Sequence, residues 1–235
     1  MSDFVFKQFT VSHDKSSMRV GTDGVLLGAW APLPATGGRL LDIGTGCGLI
    51  ALMTAQRCPT LEVTGIDIDA ASVDEARANV LRSPFADRVH ISHTALQDMP
   101  GKACFDAIVC NPPFFDEELL PPDAARAAAR HTTTLPLPEL ARHAERLLAA
   151  SGTLSVVLPT AVCDEFVLMA FAYGLLMRHR TDVRTTATKP PKRSLATFCR
   201  EPKDDGPTMD ELILCTEGNI RSRDYARLTE AFYIH

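Results

Sequence analysis

The sequence predicts an α/β fold in which a mostly parallel, seven-stranded sheet carries helices on both faces, preceded by a small N-terminal extension. Three observations predict it. From residue 40 onward, short apolar runs alternate with stretches of helical period. The first run, Leu40 to Gly44, breaks into a turn holding Gly44, Gly46 and Gly48 before an apolar helix starts. The second run ends on an acid, Asp67, 21 residues after Gly46. Strand, glycine turn, helix, strand and acid are the parts of a nucleotide-binding βαβ unit. Glycine lets a ligand approach the main chain, and the second-strand carboxylate meets ribose hydroxyls.

The first 31 residues suggest a short hairpin (Phe4–Phe9, then Val11–Ser12 onward) and a helix near Asp23–Trp30. Pro32 and Pro34 break the chain, setting an extension (1–34) beside a core (35–235) within one domain. Strands are expected at 40–44, 62–67, 88–92 and 105–110, with helices at 48–57 and 70–82. Val73, Ala76 and Val80 give the second of these helices its apolar face, and Pro84 closes it. A helix over 139–150, ended by Gly152, leads to a strand at 153–158, and a helix over 161–173 is ended by Gly174. Segments 176–184, 194–200 and 211–216 read as strands on the sheet's far side. Ser222 caps a final helix over 222–232. In open sheets of this kind the ligand lies beyond the C-terminal ends of the strands. The ends of strands one, two and four carry Asp42-to-Gly48, Asp67 and Asn111, so these residues can converge on one cleft.

Asn111-Pro112-Pro113-Phe114 follows the apolar run 105–110. The prolines stop the strand and stiffen the turn. An amide acceptor, a fixed carbonyl and a ring face together suit a planar group bearing an NH2, which makes Asn111, Pro112 and Phe114 candidate catalytic residues; the plainer reading is an ordinary turn. Gly46-Cys47-Gly48-Leu49-Ile50-Ala51 fits the G-x-G-x-x-A form of nicotinamide and flavin enzymes. Asp42, two residues before the first glycine, instead gives D-x-G-x-G-x-G, the form of the loop in S-adenosylmethionine (SAM) methyltransferases. With Asn-Pro-Pro-Phe on the fourth strand, the chain resembles the Rossmann-like, SAM-dependent amino-group methyltransferases that modify adenine N6, guanine N2 or glutamine N5.

Further segments narrow the resemblance. Phe6-Lys7-Gln8-Phe9, His13-Asp14 and the run Met18 to Ala31 are similar to the valine-tRNA adenine-N6 methyltransferase family. So are Arg130-His131-Thr132-Thr133-Thr134-Leu135 and Leu228-Thr229-Glu230-Ala231-Phe232-Tyr233. The resemblance implies SAM as cofactor and methylation of the adenosine 3′ of the anticodon. Gly44, Gly46 and Gly48 would let the main chain approach SAM, Asp42 would order the loop or meet the methionine amine, and Asp67 would bind the ribose. By resemblance alone, Thr22 and Asp23 line the methionine end. The third strand departs from the family's pattern: no acid stands at its usual place in Thr94-Ala95-Leu96-Gln97-Asp98. Either Asp98 is displaced by two positions or the adenine contact is through the main chain.

At 235 residues and 46% hydrophobic content, the chain can bury a substantial core. It contains no run of about 18 apolar residues for a membrane span and no basic-then-apolar start, and its seven cysteines are scattered. Reduced thiols in a cytoplasmic protein without a metal site are expected. The net charge of −5 argues weakly against a nucleic-acid partner, but eight Lys or Arg stand against two acids between Arg178 and Lys203. Lys189, Lys192 and Arg193 in this stretch are therefore candidates for contacts to tRNA. Arg130 and His131, in the loop 115–134 that follows Asn111, are candidates for clamping the flipped nucleotide, although the alanines of that loop equally suit an ordinary exposed helix. A solvated face is the plainer reading of the stretch. A protein-glutamine N5 methyltransferase, an rRNA guanine-N2 methyltransferase and a non-enzymatic SAM-fold RNA-binding module are the alternatives. Sequence leaves oligomeric state open.

Overall fold

A computed structural model describes residues 3–16, 19–113, 135–201, 206–216, 218 and 220–234. The extension forms β1 (Asp3–Val5), β2 (Thr10–Ser12) and α1 (Thr22–Trp30). The alternating core follows: β3 (Gly38–Ile43), α2 (Leu49–Arg57), β4 (Leu61–Asp67), α3 (Ala70–Leu81), β5 (Val89–His93) and β6 (Phe105–Cys110). After residue 134 come α4 (Leu137–Leu147), β7 (Leu148–Pro159), α5 (Thr160–Ala172), β8 (Leu176–Arg184), β9 (Arg193–Cys199), β10 (Thr208–Ile213) and α6 (Arg223–Thr229).

The main sheet runs β10-β8-β9-β7-β6-β3-β4-β5. Its strands are parallel except β9, which pairs antiparallel with both β7 and β8. The fold class is the expected one; among the described residues the sheet has eight strands, one more than the seven-stranded sheet expected and one for each of the eight segments read as strands. β1 and β2 pair separately as a hairpin.

Strands buried on both faces send alternate residues to opposite layers. Leu40, Ala107 and Val109 join one core with α1 and α2, and Leu41, Ile108 and Cys110 join the other with α4 and α5. The N-terminal hairpin adds Phe6, Phe9 and Val11 to the first core. It also meets the other end of the chain: Phe6 bridges Tyr233, the Lys7 amide donates to the Phe232 carbonyl at 2.8 Å, and Lys7 Nζ donates to the Glu230 carbonyl at 2.7 Å.

Several boundaries differ from expectation, the final helix for instance ending at Thr229 and not at 232, and two of the differences have a visible cause. The helix read over 139–150 stops at Leu147, and β7 starts at once at Leu148. The Arg200 guanidinium donates to the carbonyl of Glu145 in the last turn of α4 and to those of Leu148 and Ala149 at the start of β7, while the Arg146 and Leu147 carbonyls accept from the amides of Ala103 (3.0 Å) and Cys104 (2.7 Å), so these acceptors are satisfied outside the helical ladder. The last strand runs from Thr208 to Ile213, three residues earlier than the 211–216 segment, because it zips along β8 from the pair Thr208–His179 to the pair Ile213–Arg184. Ser222 caps α6 as expected, its hydroxyl accepting from the Tyr225 amide at 3.0 Å. Among the described residues no helix is long and apolar enough to cross a membrane.

Candidate active site

β3 ends at Ile43, and the chain then turns through Gly44 (φ +68°), Gly46 (φ +54°) and Gly48 (φ +83°), angles that disfavour any side chain. The three glycines do different work. A Cβ on Gly44 would meet nothing within 4 Å, and one on Gly46 only the Gly44 carbonyl at 4.0 Å, so both face open space. A Cβ on Gly48 would lie 3.4 Å from the Ala76 Cβ, so this glycine lets the start of α2 close on α3. Asp42 is fully buried behind the turn. Its Oδ2 accepts from Thr45 Oγ1 at 2.7 Å and from the Ala51 amide at 3.1 Å, tying the turn to the first coil of α2. Oδ1 is buried with no partner among the described residues. Burial pushes the Asp42 carboxyl up to about 7, although its two hydrogen bonds pull the other way. The turn is also laced to β4: the Thr45 amide donates to the Ile66 carbonyl at 2.9 Å, and the Gly46 amide donates to Asp67 Oδ2 at 2.9 Å. The 21-residue spacing is thus a direct contact.

In front of this turn lies a cleft of about 450 Å³, walled by Gly44–Cys47, Leu49, Ile50, Asn111 and residues at the start of α1: Arg19, Gly21, Thr22, Asp23 and Gly24. Gly24 permits the close approach of that wall, since a Cβ there would lie 3.1 Å from Leu49 Cδ2 and 4.0 Å from Asn111 Nδ2. α3 holds the preceding segment in place. The Glu75 carboxylate accepts from the amides of Asp14 (2.9 Å), Lys15 (3.0 Å) and Ser16 (2.9 Å). Asn79 accepts from the Ser12 amide at 3.0 Å and donates to the carbonyls of Ser12 and Cys47, both at 2.8 Å. The sequence reading missed Arg19, Glu75 and Asn79. The available signal was two polar residues four apart on a helix whose neighbours Ala76 and Val80 are core.

Thr22, Asp23, Gly44, Gly46 and Asn111 therefore share one cleft, with Asp67 bonded to its floor. Asn111 is half-buried just past β6, and Pro112 is buried beside it. Asp98 closes a short 3-10 turn (Leu96–Asp98) after β5 and is exposed, outside the residues that line the cleft. Phe114, Arg130 and His131 lie outside the described residues. The basic stretch is less positive than its sequence. Arg180 is buried against Asp182 (2.7 Å) and Asp164, Arg184 meets Glu211 at 2.8 Å, and Arg200 meets Glu145 at 3.0 Å. Arg193 donates from Nε to Asp23 Oδ2 at 2.8 Å, at the cleft wall. Lys189 and Lys192 are exposed in the loop between β8 and β9. That loop stands at the same sheet edge as the cleft, because β9 starts opposite Pro159, the end of β7.

Comparison with known proteins accords with this geometry. The family described as "Methyltransferase small domain" matches residues 22–172. A protein of Porphyromonas gingivalis called tRNA1(Val) (adenine(37)-N6)-methyltransferase is 44% identical over 240 residues, covering 98% of this chain and 94% of that protein. A protein of the same name from Phocaeicola vulgatus is 42% identical over 232 residues, covering 99% and 97%. The chain belongs to the tRNA1(Val) (adenine(37)-N6)-methyltransferase family. It is a methyltransferase, and its cofactor is SAM, as the resemblance implied. Among solved structures, a predicted O-methyltransferase, protein Atu636 from Agrobacterium tumefaciens, shares the fold with a TM-score of 0.70 at 17% identity, over 89% of this chain and 96% of that one. Pyrococcus horikoshii TYW2, in complex with MeSAdo, shares it with a TM-score of 0.60 at 12% identity, over 85% and 72%. The cleft suits the cofactor: its size lies in the usual range for small-molecule sites, and two glycines leave the main chain open to it.

Proposed function

We propose that this protein methylates N6 of an adenosine in tRNA, the one 3′ of the anticodon of valine tRNA, in the cytoplasm. The observation that carries the reading is that the Gly44–Cys47 turn and Asn111, from β3 and β6, border one cleft. SAM supplies an activated methyl group on a sulfonium. Gly44 and Gly46 admit it to the main chain, with Asp42 holding the loop from behind. Asp67 takes the ribose hydroxyls, Thr22 and Asp23 stand at the methionine end, and the 96–98 turn serves the adenine through Asp98 or its main chain.

The exocyclic amine of adenine is a poor nucleophile because its lone pair is delocalised into the ring. Asn111 Oδ1 and the Pro112 carbonyl accept hydrogen bonds from that NH2. This aims the lone pair and stabilises the positive charge that grows on nitrogen. Phe114 stacks on the base, a contribution of about 1–3 kcal/mol. No dedicated general base is needed, because the methylated, positively charged nitrogen is strongly acidic. The base must leave the stacked anticodon loop to reach Asn111. Lys189 and Lys192 then meet phosphates, together with Arg130 and His131 from the segment after Asn111.

Incubation with radiolabelled SAM and, separately, total tRNA, rRNA and total protein tests the reading. Label in N6-methyladenosine of the tRNA arm supports it. Label in protein glutamine or rRNA guanine overturns it in favour of those substrates, and no label in any arm favours a binding module.

A further inference from the structure

Arg193 belongs by sequence to a basic stretch that reads as an RNA contact, yet its side chain turns inward to the cofactor cleft. Its backbone is fixed, since Arg193 is the first residue of β9 and is paired with both Pro159 of β7 and Val183 of β8. From there Nε donates to Asp23 Oδ2 at 2.8 Å, across 170 residues of sequence. Both side chains are about one-third exposed (34% and 36%), and an ion pair so exposed adds little to stability. Its value lies in where Asp23 stands. Asp23 is in the first turn of α1 and lines the cleft, and the helix start has no side-chain cap, because its N-cap residue is Gly21. The first amides of a helix have no partner within it. With Arg193 in place, the Asp23 carboxylate is neutralised and drawn toward β9. Without Arg193, the Asp23 carboxylate is unanchored and uncompensated at the wall of a cleft whose ligand ends in both an ammonium and a carboxylate, so the wall no longer offers that end one fixed pattern of charge.

We propose that Arg193 is a positioning residue of the methyl-transfer site: it acts through Asp23, holding and neutralising that carboxylate so that the wall formed by the start of α1 accepts the amino-acid end of the cofactor. The inference rests on the cofactor site proposed above. It assigns Arg193 to the cofactor and leaves Lys189 and Lys192 to the RNA.

The test is a double-mutant cycle on the full chain, with S-adenosylhomocysteine affinity read by calorimetry and KM for SAM and kcat read with tRNA. Arg193→Gln is expected to weaken S-adenosylhomocysteine binding about three- to ten-fold, the scale of one unbalanced, partly exposed charge. It should raise the KM for SAM with little change in kcat. Asp23→Asn in the Arg193→Gln background is expected to restore most of the lost affinity, because the charge to be neutralised is gone. A pair that merely braced the fold would show its coupling in urea unfolding and leave S-adenosylhomocysteine affinity and the KM for SAM unmoved. Unchanged affinity in Arg193→Gln overturns the inference, as does a double variant no better than the single one. A parent protein that binds no S-adenosylhomocysteine overturns the cofactor site itself, a result distinct from either.

Discussion

Replacing Asp42 with asparagine should change how stability depends on pH, and the direction follows from the burial of this one side chain. The carboxyl has an ordinary value of 3.8 and is pushed up to about 7 by burial behind the glycine turn. Between those values the folded protein holds a proton on Asp42 that the unfolded chain has released. The folded state then binds more protons than the unfolded one, so the Asp42 contribution to stability falls as pH rises. It is fully present below about 4 and lost above about 7. At ~1.4 kcal/mol per pH unit, the span of about 3 units corresponds to at most about 4 kcal/mol. An asparagine side chain at this position does not ionise, and its amide oxygen can accept from Thr45 and Ala51 as Oδ2 does now. Urea unfolding of both proteins from about pH 4.5 to about pH 8 should give a stability difference that moves steadily in favour of Asp42→Asn as pH rises, by roughly 2–4 kcal/mol. Titrations elsewhere in the chain cancel in that difference. A difference that stays constant across the range, or moves toward the parent, would refute the reasoning.

Asn111→Ala should leave SAM affinity nearly intact and lower kcat about 100-fold or more, the scale of losing an aligned charge-stabilising group; single-turnover kinetics beside calorimetry separate the two effects. Gly46→Val should abolish SAM binding in a folded protein, since a branched side chain would combine an unfavourable φ with occupation of the open space at the turn. Unchanged affinity there removes the loop assignment. Neutralising Lys189 and Lys192 together should weaken tRNA binding and flatten its salt dependence by about two charges' worth of slope, without altering SAM affinity. Equal binding at every salt concentration would reduce the loop to a solvated face.

The sheet, its order of strands and helices, and the edge bearing the cleft were legible because hydrophobic period, glycine turns and the prolines after Cys110 are all local signals. The 21-residue step from Gly46 to Asp67 was legible for the same reason, as one βαβ unit spans it. What escaped depends on partners far away in sequence. The end of α4 is set by Arg200, which lies 55 residues beyond the Glu145 carbonyl it grips. The positive stretch after Arg178 counts as basic only until Asp164, Glu211, Glu145 and Asp23 arrive beside it. Arg193 reads as an RNA contact in a basic stretch far along the chain from the glycine turn, but the antiparallel return of β9 brings it to the cleft wall. Glu75 and Asn79 were hidden because a buried polar residue on a core-facing helix declares itself only through the backbone it grips.

The joining of Phe6 and Lys7 to Phe232 and Tyr233 has a consequence in time. α1 also packs on α6, so the cleft wall from Arg19 to Gly24 leans on residues that are translated long after it. A nascent chain can assemble the βαβ unit of β3, α2 and β4 early, because the contacts within the unit are close in sequence. The far wall must wait for that later segment. Competence to hold the cofactor should therefore arrive in one late step, so that ribosome-stalled intermediates ending before residue 223 carry a glycine turn without a finished pocket around it.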